Sequence, residues 1–251
     1  MTVTNEQSIS CVLIAGGKYH DINFARLELL KLLAQDERIR VRVFEDYSNI
    51  EAITSANFIV SYTCDVIPRL SEQEALRRYI DRGGRWLALH GTNSILRFIG
   101  SGEVDCPDWA PHFMETLGSM FIAHPPIAPY RVTVAAPDHP MVAGIEPFEA
   151  TDELYLLKCY GELQVLLEAE FEGDAVGFVQ RKWPRSRHPV LYLNPIGKGA
   201  VLYLTLGHCR GQYDMRPVMD FYPQVERGAW ALPAFYELLR RGIAWARESE
   251  R

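Results

Sequence analysis

The stretch Arg82-Gly-Gly-Arg-Trp-Leu-Ala-Leu-His-Gly-Thr-Asn93 constrains the fold of this chain more than any other. A Gly-Gly pair suits the left-handed exit of a helix. The run Trp86-Leu-Ala-Leu89 that follows has no polar alternation, which predicts a strand covered on both faces, as in a parallel sheet. The run stops at His90-Gly91. Ligands of such sheets sit at the carboxyl ends of the strands, so His90 is a candidate for chemistry.

The rest of the N-terminal half has the same punctuation. Cys11-Val-Leu-Ile-Ala15 is an apolar run ending in Gly16-Gly17, followed by a loop with Lys18-Tyr-His-Asp21. Phe24, Leu27, Leu30 and Leu33 fall on one helical face. Arg40 to Phe44 and Asn57 to Tyr62 read as strands, and Ser71-Glu-Gln-Glu74 has capping-box spacing for a helix running to about Asp81. This alternation predicts a doubly wound α/β fold with a mostly parallel sheet and helices on both faces.

The second half is less regular. Trp109, Phe113 and Leu117 have helical spacing, giving a helix that starts at Pro107-Asp108. Prolines make Phe121-Ile-Ala-His-Pro-Pro126 a loop or sheet edge. Tyr130 to Ala135 is a strand, and Val165 to Phe171 pairs with Ala175 to Gln180 across Glu172-Gly-Asp174. His188 to Asn194 and Ala200 to Leu206 pair across Pro195-Ile-Gly-Lys-Gly199. A helix from about Leu232 to Glu248 closes the chain. These additional strands in the C-terminal half are expected to be antiparallel. With 251 residues and no linker or repeat, one domain spans 1–251, with its core at about 10–248.

The bulk properties narrow the partners. A formal charge of −6 without a Lys/Arg cluster argues against nucleic acid, and no apolar run approaches the roughly 20 residues of a membrane span. Met1 to Ser10 is polar and lacks the features of a signal peptide. Five scattered cysteines without a Cys-x-x-Cys pair fit reduced thiols and a cytoplasmic location. The aromatic loop Phe221-Tyr-Pro and the segment around Trp230 are candidate contacts of a homo-oligomer.

His20, His90 and His208 all follow expected strand ends, while His124 and His139 precede prolines in turns. Taken singly, each suits a loop or core histidine bonded to backbone. Strand ends of a doubly wound sheet converge on one crevice, however, so a shared polar pocket is expected. Asp152, Glu153 and Tyr155 lie near a further strand start. Carboxylates beside imidazoles can set a histidine's tautomer for proton transfer or join it around a divalent metal such as zinc. The metal candidates are His20, His90, Glu153 and His208, gathered from distant loops. The alternative is that Asp152 caps a turn and Glu153 is solvated. Gly16-Gly17 does not continue into a dinucleotide or Walker pattern, and no Gly-x-Ser-x-Gly elbow exists. Cys64 and Cys209 are either buried and inert or reactive thiols.

Tyr19-His20-Asp21, Tyr79-Ile-Asp-Arg-Gly-Gly84, Leu89-His90-Gly91, Phe121-Ile-Ala-His124-Pro125, Asp138-His139-Pro140, Asp152-Glu153-Leu-Tyr155 and Gly197-Lys-Gly199 through Leu206-Gly207-His208 occur in one order. In that order the chain, from Cys11 to Trp245, resembles the ThuA-like (trehalose utilisation) family of the class I glutamine amidotransferase-like superfamily. The resemblance implies a flavodoxin-like core and a place in carbohydrate metabolism. Ala200 stands where the family usually has arginine, and Leu191-Tyr-Leu-Asn194 replaces a more aromatic segment. An amidotransferase needs a cysteine at the strand-to-helix elbow, and Leu89-His90-Gly91-Thr92 has none, so glutaminase activity is not expected.

The expectation is therefore an enzyme acting on a sugar or keto-sugar, trehalose-related by its family, through acid/base or metal-assisted chemistry as a hydrolase, isomerase or lyase. His90, His208 and Glu153 are the catalytic candidates, and His20, His124, Asp152 and Tyr155 the substrate-binding ones. The competing readings are a non-catalytic sugar-binding or regulatory module and a thiol-dependent hydrolase using Cys64 or Cys209.

Overall fold

A computed structural model describes residues 8–100 and 102–249; Met1 to Gln7, most of the polar N-terminal stretch, lie outside the described residues. In chain order the elements are β1 (Ile9–Gly17), α1 (Ile22–Leu33), β2 (Ile39–Phe44), α2 (Ile50–Thr54), β3 (Phe58–Cys64), α3 (Leu70–Asp81) and β4 (Arg85–Leu89). A 3-10 turn at His90–Asn93 leads to the short β5 (Arg97–Phe98) and β6 (Val104–Asp105), then α4 (Pro111–Leu117), β7 (Ser119–Ala123), β8 (Ala128–Val134), β9 (Phe148–Asp152) and β10 (Leu156–Cys159). The chain continues through β11 (Gln164–Asp174), β12 (Lys182–Ile196) and β13 (Gly199–Leu204), and a second 3-10 turn precedes α5 (Pro233–Arg247).

Nine strands form the main sheet in the order β2-β1-β3-β4-β13-β12-β11-β8-β9. β2, β1, β3, β4 and β13 run parallel, and β12, β11, β8 and β9 extend the sheet antiparallel. The parallel half has the flavodoxin-like strand order. On one face α1 and α5 pack against each other, α1 over β1 to β3 and α5 over β3 and β4; on the other, α2, α3 and α4 form a layer, with α3 and α4 against β12 and β13. This double cover explains the uninterrupted apolar runs: Cys11 to Ala15, Phe58 to Val60 and Trp86 to Leu89 are all buried. Trp86 also donates its indole N–H to Ser61 Oγ at 2.8 Å. Among the described residues no helix is long and apolar enough to cross a membrane.

Two strand ends need backbone that most residues cannot supply. Gly17 has φ +104, and a Cβ there would lie 1.8 Å from the Cys64 carbonyl oxygen. The glycine lets β1 close against β3, and Lys18 N–H then bonds that carbonyl at 3.0 Å. At the end of β4, His90 itself has φ +44, a conformation that costs a non-glycine residue about 1 kcal/mol or more. Tyr203 holds it there, its hydroxyl donating to the His90 carbonyl and accepting Asn93 N–H at 2.8 Å.

Several boundaries differ from expectation. α3 starts at Leu70, and the carboxylate that reaches back is Glu72, accepting Arg69 N–H at 2.7 Å; Ser71 is inside the helix. α4 starts at Pro111, whose ring suits the first helical turn. Phe121–Ala123 belongs to β7 and pairs with β10, because the prolines follow the strand and do not interrupt it. Ala175 to Gln180 is a turn; β11 runs unbroken through Gly173 and takes β12 as its partner. Trp230 is 5% exposed and donates its indole N–H to the Gly207 carbonyl at 2.7 Å. Its side chain belongs to the core, while Phe221 in the neighbouring loop is exposed.

Candidate active site

Four chain segments deliver the site to the carboxyl end of the parallel strands. His20 follows β1, His90 turns off β4, Glu153 follows β9 and His208 follows β13. All four are at least 94% buried. One donor atom from each lies within 4.8 Å of those of the others, so the group could hold a metal ion. His20 Nε2 is 2.9 Å from His90 Nε2. Glu153 Oε2 is 3.4 Å from His90 Nε2 and 3.8 Å from His20 Nε2. Its other oxygen, Oε1, lies 3.1 Å from His208 Nδ1 and 3.5 Å from His124 Nε2.

The outward nitrogens are also engaged. His90 Nδ1 meets the Thr205 carbonyl at 2.7 Å, and His208 Nε2 meets Glu226 Oε2 at 2.7 Å. Arg210 bridges the two carboxylates, 3.2 Å from Glu153 and 3.0 Å from Glu226, with its Nε on the Tyr19 carbonyl at 3.1 Å. Arg210 and Glu226 also exchange both backbone hydrogen bonds, at 3.0 and 2.8 Å. The loop between them is thereby anchored at both ends.

Charge is distributed unevenly. Burial drives the His20 imidazole down to about 3 against the pull of Glu153, so it is neutral. Burial also opposes charge on His208, but Glu153 and Glu226 outweigh it and raise that ring to about 9. For Glu153, burial favours the protonated acid, yet the neighbouring His124, His208 and His20 imidazoles hold the carboxyl well below its usual range.

A cavity of about 290 Å³ opens onto this centre. Its floor carries His20, Glu153 and Arg210, and its walls include Tyr19, Phe98, Phe121 and Phe178. The hairpin of β5 and β6 is tied to the turn after β11 by Val104 N–H to the Gly177 carbonyl and Val179 N–H to the Val104 carbonyl, at 2.8 and 3.0 Å. His124 stands on the wall, its Nδ1 on the Pro125 carbonyl at 2.8 Å and its ring against Phe178 at 4.9 Å.

The expected residues therefore divide. His20, His90, Glu153 and His208 meet; His124 joins them from the cavity side, and Tyr155 lines the cavity with its ring 4.6 Å from His90. Asp152 takes a different place. It is 1% exposed and accepts the backbone N–H groups of Gly207, His208 and Ala229 at 3.1, 3.2 and 2.7 Å. It therefore braces the segment carrying His208 from behind and does not reach the cavity. Arg210, Glu226 and the aromatic walls escaped the sequence reading. Arg210 lies two residues beyond His208, but Glu226 sits in a polar loop with no periodicity to mark it.

Cys64 lies on the cavity wall and Cys209 behind it, both buried. Burial holds both thiols protonated, Cys209 pushed up to about 12 and Cys64 well above its usual value. Iodoacetamide at mildly alkaline pH should label exposed Cys159 first, with Cys64 and Cys209 slower by roughly a hundredfold. Peptide mapping by mass spectrometry reads this directly, and rapid labelling of either buried thiol would bring thiol catalysis back.

A flavodoxin-like α/β sheet with a buried histidine–glutamate centre at its carboxyl edge defines the class of protein. Residues 11–228 match the family model described as ThuA, trehalose utilisation, and the chain belongs to that family. It is similar in structure to ThuA-like proteins from Parabacteroides merdae (TM-score 0.62, 19% identity, covering 98% of this chain and 92% of that one) and Bacteroides uniformis (TM-score 0.67, 17% identity, 98% and 94%). A β-galactosidase from Rahnella sp. R3 contains a similar fold (TM-score 0.55, 12% identity) over 95% of this chain and 31% of its own length. These likenesses are of fold. No match to the sequence was found among curated proteins.

Proposed function

We propose that this chain is an enzyme of carbohydrate metabolism that acts on a sugar or keto-sugar by acid/base or metal-assisted chemistry, and is not a glutamine amidotransferase. The observation that carries the reading is the meeting of His20, His90, Glu153 and His208 beneath a cavity with aromatic walls. The family description, trehalose utilisation, supports a sugar ligand. Aromatic faces suit the apolar face of a pyranose ring, while the polar floor suits its hydroxyls. At the elbow stands an imidazole whose Nδ1 is committed to Thr205, so the covalent route through a thiolate has no nucleophile there.

His90, Glu153 and His208 are the proposed catalytic centre. His20, His124 and Tyr155 contact the substrate, and Asp152 acts as a positioning residue behind His208. His124 is the most accessible of these imidazoles, and with its Nδ1 on a carbonyl it turns Nε2 toward Glu153. That placement suits proton transfer to a bound hydroxyl or to the carbon beside a carbonyl. Five unpaired cysteines support a reducing, cytoplasmic setting.

His90→Ala and His208→Ala test the reading. Each should reduce turnover of a sugar substrate, identified by metabolite screening, by roughly a thousandfold or more while leaving the circular dichroism spectrum intact. Undiminished turnover in both variants would sink the proposal. The missing elbow cysteine also suits a sugar-binding or regulatory module without catalysis. Calorimetric binding of a sugar with no product after long incubation would favour that second reading.

A further inference from the structure

We propose that His20, His90, Glu153 and His208 bind one divalent first-row transition-metal ion of the zinc type, with Glu226 as the carboxylate that orients His208 on it. The inference deepens the function proposed above and rests on it for catalytic meaning, but its physical basis is hydrogen-bond bookkeeping at the site. A neutral imidazole has one N–H and one lone pair. A carbonyl oxygen only accepts, so the 2.7 Å contact with Thr205 puts the His90 proton on Nδ1 and turns the Nε2 lone pair inward. His20 has the same polarity, its Nδ1 facing the Lys18 carbonyl at 3.4 Å. The two Nε2 atoms, 2.9 Å apart, therefore present lone pair to lone pair.

His208 is arranged with its ring reversed. Its Nε2 donates to Glu226 Oε2 at 2.7 Å, which leaves Nδ1 as the inward atom. That Nδ1 is buried and has no hydrogen-bond partner, although Glu153 Oε1 is 3.1 Å away, out of line for a hydrogen bond. With His208 neutral, as a metal ligand must be, three inward lone pairs surround a carboxylate that can only accept. Each ring has an acceptor fixing its far side, the pattern by which proteins orient imidazole ligands on a metal. A cation satisfies all four groups at once. Protons on the rings are the competing occupant.

The donor set selects the kind of cation. Three nitrogens and one carboxylate suit zinc and its neighbours, whereas magnesium and calcium take oxygen. Donors of a tetrahedral zinc site lie about 3.4 Å apart; the short contacts here run from 2.9 to 3.8 Å, and one donor atom from each residue lies within 4.8 Å of the others, so the ligands need draw in only slightly around an ion. Arg210 offsets charge where it bridges Glu153 and Glu226. The cavity meets the cluster at His20 and Glu153, the side from which a substrate oxygen can approach.

The test uses the purified full-length chain, stripped with a chelator and titrated with Zn²⁺, Co²⁺ or Mg²⁺ by calorimetry and thermal shift. One equivalent of Zn²⁺ or Co²⁺ should bind per chain and raise the melting temperature, with no such response to Mg²⁺. Cobalt loading should produce the visible absorption of a nitrogen-rich, low-coordinate site. His90→Ala should weaken binding at least about a hundredfold, and Glu226→Gln by roughly tenfold. Glu226→Gln keeps the shape of the side chain, so it remains informative if His90→Ala fails to fold. Absence of stoichiometric transition-metal binding by the folded wild type, or binding unchanged in Glu226→Gln and His90→Ala, overturns the proposal. A metal-loaded protein inert toward sugars would refute the enzymatic reading alone, and a folded protein that turns over sugar yet binds neither Zn²⁺ nor Co²⁺ would refute the metal alone.

Discussion

Asp152→Ala should lower the melting temperature by about 12 °C. The carboxylate of Asp152 is the acceptor for three backbone N–H groups, those of Gly207, His208 and Ala229, in a place water does not reach. Leaving a buried donor unsatisfied costs about 1–3 kcal/mol, so a loss of roughly 4 kcal/mol is expected after partial relaxation. A domain of this size loses about 2–4 °C per kcal/mol. Asp152→Asn retains one acceptor oxygen and should lose less than half as much. Thermal melts followed by circular dichroism measure both. A loss below about 3 °C for the alanine variant would mean that these N–H groups find other partners. Because the same bonds hold the backbone of His208, Asp152→Ala should also damage the site more than its distance from the cavity suggests.

Gly17→Ala is expected to prevent folding or to cost more than about 4 kcal/mol. Its Cβ would sit 1.8 Å from the Cys64 carbonyl oxygen, so β1 and β3 would have to part just where they launch the loops toward the site. Gly144→Ala is the matched control. It also has positive φ, +71, but its Cβ would meet nothing within 4 Å. It should show only the conformational penalty of about 1 kcal/mol. Urea denaturation of the two variants separates collision from conformational strain, and equal costs would refute the close-approach argument.

The parallel half of the fold was legible because burial on both faces leaves a plain signature in β1, β3 and β4, and glycines mark where β1 and β4 stop. Helix α2, at five residues, is too short for periodicity to register. Ala175 to Gln180 misled because an apolar turn and a short strand share a composition; Phe178 is apolar because it forms a wall of the cavity. The capping box spaced for Ser71 and Glu74 falls two residues earlier, on Arg69 and Glu72, because both glutamates offer the same spacing to an N-cap. At the site, strand-end placement brought out the three histidines and Glu153. It did not separate Asp152 from Glu153, since neighbours on one strand end face opposite ways. Arg210 and Glu226 were invisible because their partnership is a contact between loops, without a period.

The order β4-β13-β12 has a consequence for how the chain is made. β13 is the last strand in sequence, yet it lies in the middle of the sheet and joins the parallel half to the antiparallel half. Until Leu204 has left the ribosome, the apolar edge of β4 has no partner. At about 5–20 residues per second that interval lasts on the order of ten seconds. An unpaired hydrophobic edge is a template for aggregation. The nascent chain therefore has a window of exposure during synthesis, and synonymous codon changes that slow translation between β4 and β13 should reduce soluble protein without altering the finished fold.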